Sequence, residues 1–199
     1  MPLTIIDTGS SNEVIIPHDV MDHQTGTIHL EGDNNRIILG EHVSLNNARI
    51  QLLGNSSFIC GANTRLAAIE VLAAKHGHIR IGARSGFTWS TSISLHEAGA
   101  VTIGEACLIA SGVLLTVSDM HSIIDIESGM RINQAEDVIV GDRVWVGGEA
   151  KLLKGAQIGS GSIIGYGSIV TKQIPENCLA AGVPAKVIRT GVTWRPELI

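Results

Sequence analysis

The stretch VGDRVWVGGEAKLLKGAQIGSGSIIGYGSIV, residues 140–170, decides the fold. Aliphatic residues stand six apart through it, at Val140, Val146, Leu152, Ile158, Ile164 and Val170. Gly141, Gly147, Gly159 and Gly165 follow four of them directly. Four residues after each aliphatic comes Val144, Ala150, Ala156, Ser162, Ser168 or Ile174, mostly small. A period of six fits neither the 3.6 of a helix nor the alternation of a single strand. It fits a short strand followed by a corner, repeated. Three such sides close a triangle of about 18 residues, and stacked triangles pair their strands in parallel about 4.8 Å apart. One coil cannot bury its own interior, so the coils stabilise one another by stacking.

Outward from this stretch the same frame recurs at Ile103, Ile109 and Leu115, and at Ile81, Phe87 and Ile93, with a weaker trace from Leu39. Asn34, Asn35, Asn46, Asn47 and Asn55 fall near apparent corners, where Asn tolerates a positive φ. Residues 65–75, RLAAIEVLAAK, have the composition of a helix. Their Ile69 and Val71, followed by Ile79 and Ile81, suit another coil, and a coil is the reading taken. Two places break the period. Ile93 and Ile103 are ten apart, and Leu115 and Val140 are 25 apart, with the polar VSDMHSIIDIESGMRINQAED between. A solenoid accommodates insertions as loops that leave the coil. The expected fold is therefore all-β: an irregular cap over 1–30, a parallel β-helix over 31–175 with a protruding loop around 117–138, and a C-terminal extension over 176–199.

Composition agrees. Of 199 residues, 44% are hydrophobic, only 3% are aromatic and 23 are glycine. A narrow prism has room for Ile and Val but rarely for Trp. A formal net charge of −5 argues against a general nucleic-acid binder, which needs a basic face. No window approaches the roughly 18 consecutive apolar residues of a membrane span, and the first ten residues lack the pattern of a secretory signal. No integral membrane segment and a cytoplasmic location are expected. Cys60, Cys107 and Cys178 are odd in number and widely spaced, so buried thiols are expected rather than disulfides or a metal site.

Residues 144–189, VWVGGEAKLLKGAQIGSGSIIGYGSIVTKQIPENCLAAGVPAKVIR, resemble the C-terminal signature of the hexapeptide-repeat acyltransferases. The run SDMHSIID, residues 118–125, resembles the catalytic loop of surface-polysaccharide O-acetyltransferases. Within that group the chain looks most like the capsular polysialic-acid O-acetyltransferases of the meningococcal type. The resemblance implies a left-handed β-helix, a hand that spacing alone does not give, since crossovers are right-handed in about 98% of cases. It also implies a homotrimer with active sites in the clefts between prisms, an acidic polysaccharide acceptor, and acetyl-CoA lying beside the C-terminal coils.

Acyl transfer from a thioester to a sugar hydroxyl needs a base for the hydroxyl proton, and histidine suits that task. His121 matches the family's catalytic histidine. Asp119, two residues before it, is a candidate to hold the imidazole, to bind the acceptor or to shape the turn. Trp145 sits beside an inward residue and should point outward; the family carries a tryptophan there, in the active-site cleft. Gly147 and Gly148 are candidates for close approach to the ligand and for an oxyanion N–H donor. Family contacts to the cofactor map onto Gly148, Tyr166, Thr171, Lys172, Lys186 and Arg189. Tyr166 departs from the small residue common at that place. His96 is a candidate acceptor contact, Arg80 and Arg84 are the basic residues considered for an acidic sugar, and Lys151 and Lys154 read as solvated. Competing readings are acetyl transfer to a small sugar or alcohol, and a non-catalytic binding protein. A β-helix carbonic anhydrase needs three converging histidines, and no such spacing is present.

Overall fold

The computed structural model describes residues 2–21 and 24–199. Among these are twenty-four strands and one short helix, His18–Met21. The strands form three sheets of eight, each visited in turn as the chain winds. All ladders are parallel except the last, where Cys178–Gly182 and Ala185–Thr190 pair antiparallel and close the C-terminal end. The molecule is the expected left-handed parallel β-helix, of about seven turns. The faces are called first, second and third, after the sheets that hold Leu3–Asp7, Glu13–Ile15 and Ser44–Asn46.

The six-residue frame points inward as read. Val140, Val146, Leu152, Ile158, Ile164 and Val170 are all buried, and so are Val144, Ala150, Ala156, Ser162, Ser168 and Ile174. Burial alternates along strands such as Gly77–Ile81, because successive side chains point to opposite faces. Residues 65–75 form a coil, with strands Arg65–Ala67 and Glu70–Ala73 on either side of a left-handed corner at Ala68. Asn34, Asn47 and Asn55 sit at corners with positive φ, as expected. Asn35 does not. It is buried, and its side chain accepts from the N–H groups of Gly54 and Ser56 at 2.8 and 3.3 Å and so ties two coils together.

Coil length separates the two halves. Arg36 stands against Ser57 and Ser57 against His78, 21 residues apart in each case. Trp145 stands against Ile163, 18 residues on, and Leu108 against Trp145, 37 residues on. The long coil holds the 117–137 loop. The strands Leu3–Asp7 and Glu13–Ile15 also join the ladders, so the segment read as an irregular cap contributes to two faces. Cys60, Cys107 and Cys178 are buried and free, and burial pushes the Cys60 and Cys107 thiols up to about 12 and about 11. No helix among the described residues is long and apolar enough to cross a membrane.

Candidate active site

Residues 117–137 leave the prism between Leu114–Thr116 of the first face and Val138–Val140 of the second, so the loop stands on the edge those faces share. It is an ordered hairpin. Ile124 and Arg131 form an antiparallel bridge, and the Ile132 N–H donates to the Ile123 carbonyl at 2.9 Å. Asp125 closes the tip by accepting from the N–H and hydroxyl of Ser128, at 2.8 and 2.6 Å.

Buried Asn133 organises its base. The amide donates to the His121 carbonyl at 2.8 Å and to the Asp119 carboxylate at 2.9 Å. Its Oδ1 accepts from the Ile123 N–H at 2.7 Å and from Arg131 Nε at 3.1 Å. Lys154, from the following coil, places Nζ 2.7 Å from Asp119 and 3.3 Å from the Gln134 carbonyl oxygen. Arg131 forks onto Glu97 at 2.6 and 2.7 Å, and Glu97 also accepts from the Ser118 hydroxyl. A planar guanidinium on a carboxylate is the strongest of these pairings in geometry and direction. Arg131, then Ser118, hold the Glu97 carboxyl down to about 2. Lys154, then Asn133, lower that of Asp119.

This network fixes the backbone of His121 and leaves its ring alone. The His121 N–H donates to the Asp119 carbonyl at 2.8 Å, and the preceding Met120 is left-handed at φ 65°, which turns the chain outward. Positive φ in a bulky residue is uncommon and marks a conformation imposed by its surroundings. The imidazole is exposed and makes no hydrogen bond among the described residues. Around it Met120, Ile123, Ile124, Ile126, Met130 and Ile132 are exposed, Ile126 almost completely at 98%.

Trp145 lies elsewhere, on the third face. It points outward as expected and is 39% exposed. Part of its cover is Trp194, whose ring centroid is 6.1 Å away at a tilt of 47°. Trp194 is seated by its Nε1–H, which donates to the Arg143 carbonyl at 2.7 Å. The segment after Thr190 thus runs back over the third face as a strap. His121 and Trp145 therefore occupy different sides of one prism, and a single chain does not bring them together.

The cofactor candidates are also spread. Gly147, Gly148 and Tyr166 sit at the edge between the third and first faces, Thr171 and Lys172 at the edge that carries the loop, and Lys186 and Arg189 on the closing strand. Lys172, Lys186 and Arg189 are exposed and have no ion-pair partner among the described residues. The two glycines differ. A Cβ on Gly147 would fall 2.7 Å from the Ile164 carbonyl oxygen, and its N–H donates to that oxygen at 2.8 Å. Gly147 is thus a glycine for coil stacking, and its N–H is spent there. The N–H of Gly148 meets no acceptor among the described residues. A Cβ on Gly148 would fall 3.0 Å from the ring of Tyr166, which is itself 77% exposed.

Two expectations change. Lys154 is not a solvated charge but fastens the loop, with a side chain only 19% exposed. Arg84 is not a free cation but is paired with Glu105 at 2.5 Å. Arg80 faces outward on the second face, one of the two that meet at the loop's edge. His96 shares that edge, with its Nε2 2.8 Å from the Ser94 hydroxyl. Asn133, Arg131, Glu97 and Trp194 were not singled out by sequence. Only Trp194 carried a signal, as one of three tryptophans in an aromatic-poor chain.

Residues 137–172 match the family model described as bacterial transferase hexapeptide (six repeats). The curated polysialic acid O-acetyltransferase of Escherichia coli O1:K1 / APEC is 45% identical over 125 residues, which are 63% of this chain and 40% of that one. The chain thus spans two fifths of the length of that relative. The crystal structure of the polySia specific acetyltransferase NeuO superposes with a TM-score of 0.90 at 34% identity, covering 98% of this chain and 90% of that chain. A galactoside acetyltransferase in complex with coenzyme A is 30% identical with a TM-score of 0.55, over 69% of this chain and 66% of that one. The chain belongs to the hexapeptide-repeat acetyltransferase family.

Proposed function

We propose that this chain is an acetyl-CoA-dependent O-acetyltransferase that acts, as a homotrimer, on a hydroxyl of an acidic surface polysaccharide, namely sialic acid in a capsule polymer. The observation that carries the reading is the rigid loop that presents an unpartnered imidazole among exposed apolar side chains. The locked backbone sets where the imidazole stands, and its ring nitrogens are left for the substrate and for a partner group that fixes the tautomer. The apolar collar needs cover, because contiguous exposed patches of this kind mark contact surfaces. A second copy would supply that cover, and with it the Trp145 face that one chain keeps away from its own His121. The names of the relatives support the acetyl transfer and the acceptor class.

In this reading His121 takes the proton of the sugar hydroxyl as its oxygen attacks the thioester carbonyl. The tetrahedral oxyanion finds the N–H of Gly148, and collapse expels the thiolate of coenzyme A, which takes the proton back from the imidazolium. The products are an O-acetyl ester and free coenzyme A. Trp145 of the neighbouring copy forms the wall of the pocket. The cofactor lies between two copies, with Thr171 and Lys172 reaching it from the edge that carries the loop, and Tyr166, Lys186 and Arg189 from the neighbour that supplies Trp145. Asp119 acts through the loop, with Asn133 and Lys154, rather than on the imidazole. Use of acetyl-CoA points to a cytoplasmic reaction.

The test is release of free thiol from acetyl-CoA with sialic-acid polymer, neutral oligosaccharides, free sugars and a chloramphenicol-type alcohol as acceptors. Release that depends on the polymer is the expected result. Release with a small acceptor alone would keep the chemistry and overturn the acceptor, and none with any acceptor would overturn the proposal.

A further inference from the structure

The third face carries a groove of about 500 Å³ on the N-terminal side of Trp145, within the roughly 300–1,000 Å³ of small-ligand sites. Its floor is the outward row of the ladder in which Arg65, Gly86 and Leu108 stand one above another on successive coils, and Trp145 follows next in that row, beyond the groove. Its rim is the strap, through Trp194 and Arg195, together with Arg84 and Arg143. Four arginines around one groove are unexpected in a chain of net charge −5. Arg84 is neutralised by Glu105, but Arg65, Arg143 and Arg195 have no ion-pair partner among the described residues.

Gly86 is informative because nothing in the fold demands it. Its φ is not in the left-handed region, and a Cβ there would meet only Leu108 Cδ1, at 3.9 Å. The strand would accept a side chain at that position, and the glycine leaves the middle of the groove open. An open floor, an indole wall and forked cations suit a sugar chain that bears carboxylates: guanidinium groups pair with carboxylates in a bidentate way, and aromatic faces cover apolar sugar surface. The exposed cations assigned to the cofactor, Lys172, Lys186 and Arg189, lie in the coils beyond Trp145, toward the other end of the prism.

We infer that the groove formed by Arg65, Gly86, Leu108, Arg143, Trp194 and Arg195 binds the part of a carboxylate-bearing oligosaccharide that flanks the acetylated residue. The inference rests on the acetyl-transfer reading for the identity of the ligand. It adds where the acceptor runs and makes the strap part of the acceptor site. Trp194 becomes a specificity residue, since its seat on the Arg143 carbonyl fixes the wall of the groove.

The test is calorimetric binding of a sialic-acid oligomer, and of the same oligomer with its carboxyls reduced, to full-length protein carrying His121→Ala so that no turnover intervenes. Arg65→Ala, Arg195→Ala and Gly86→Leu are then added singly, with thermal melting to confirm the fold, and coenzyme A is titrated in parallel. The charged oligomer should bind, the reduced one much more weakly. Each arginine variant should lose roughly tenfold in affinity, the scale of one charge-assisted hydrogen bond. Gly86→Leu should abolish binding, with coenzyme A affinity unchanged throughout. Equal binding across the variants, no binding of the charged oligomer to the parent, or a loss of coenzyme A affinity instead would each overturn the inference. Arginine-dependent binding by a protein whose wild type releases no thiol would sustain the groove and overturn acetyl transfer. Turnover with an unchanged acceptor KM in Arg65→Ala, Arg195→Ala and Gly86→Leu would do the opposite.

Discussion

The edge that carries His121 and the face that carries Trp145 are built in opposite ways. The edge is a loop of polar contacts: an amide with four partners, a forked ion pair and a lysine from the next coil hold it rigid while its apolar side chains stay exposed. The face is a ladder of outward residues covered by an indole strap and rimmed with unpaired cations. In the proposed reading one part positions a proton acceptor and the other shapes a pocket, and the two meet only where a neighbouring copy brings them together.

The comparison breaks most visibly at the proton acceptor. His121→Ala should lower kcat by about 10²- to 10⁴-fold, the range of a general base, with acetyl-CoA binding nearly unchanged. Steady-state kinetics and coenzyme A titration measure the two separately, and equal turnover would remove the role. Asn133→Ala should come next. It strips the bonds to the His121 carbonyl, Asp119, Ile123 and Arg131, so kcat should fall about tenfold or more while the acetyl-CoA KM holds. Melting should show a loss of about 1–3 kcal/mol, the cost of unsatisfied buried groups. A variant with wild-type kcat would make the network merely structural.

A smaller effect is expected at the cofactor end. Lys186→Ala and Arg189→Ala should raise the acetyl-CoA KM several-fold and leave kcat in place, as loss of phosphate contacts does. An unchanged KM in both would remove those contacts from the map.

The smallest effect concerns acid. The Glu97 carboxyl is held at about 2 against an ordinary 4.5, so its pairing favours the folded state fully above about 4.5. That contribution is lost as pH falls from about 4.5 through about 2, because the unfolded chain takes up the proton first. Glu97→Gln should therefore flatten the dependence of the melting temperature on pH across that window. Parallel curves for the two proteins would show that the ion pair contributes nothing there.

How much of this was legible follows from coil length. Between Val140 and Val170 each side takes six residues, so the period stands out and the inward positions could be named one by one. Toward the N terminus a coil takes 21 to 23 residues, because extra residues gather at the edge between the first and second faces. The inward residues there, such as Ile37, Phe58 and Val101, are just as buried, but a six-residue frame passes over them. His121 was legible because it interrupts the repeat within a familiar motif, and Trp145 because a narrow prism cannot hold it inside. Asn133, Lys154 and Trp194 were not, since their meaning lies in partners distant in sequence, 51 residues away for Trp194 and Arg143.

In the proposed trimer each active site joins the loop of one copy to the Trp145 face of the next. Co-expressing the His121→Ala and Trp145→Ala chains and purifying mixed trimers tests it most directly. Each variant alone should be nearly inactive, while a mixed trimer should recover one intact site, built from the histidine of one chain and the tryptophan of its neighbour. A mixture as inactive as its parents would contradict the account.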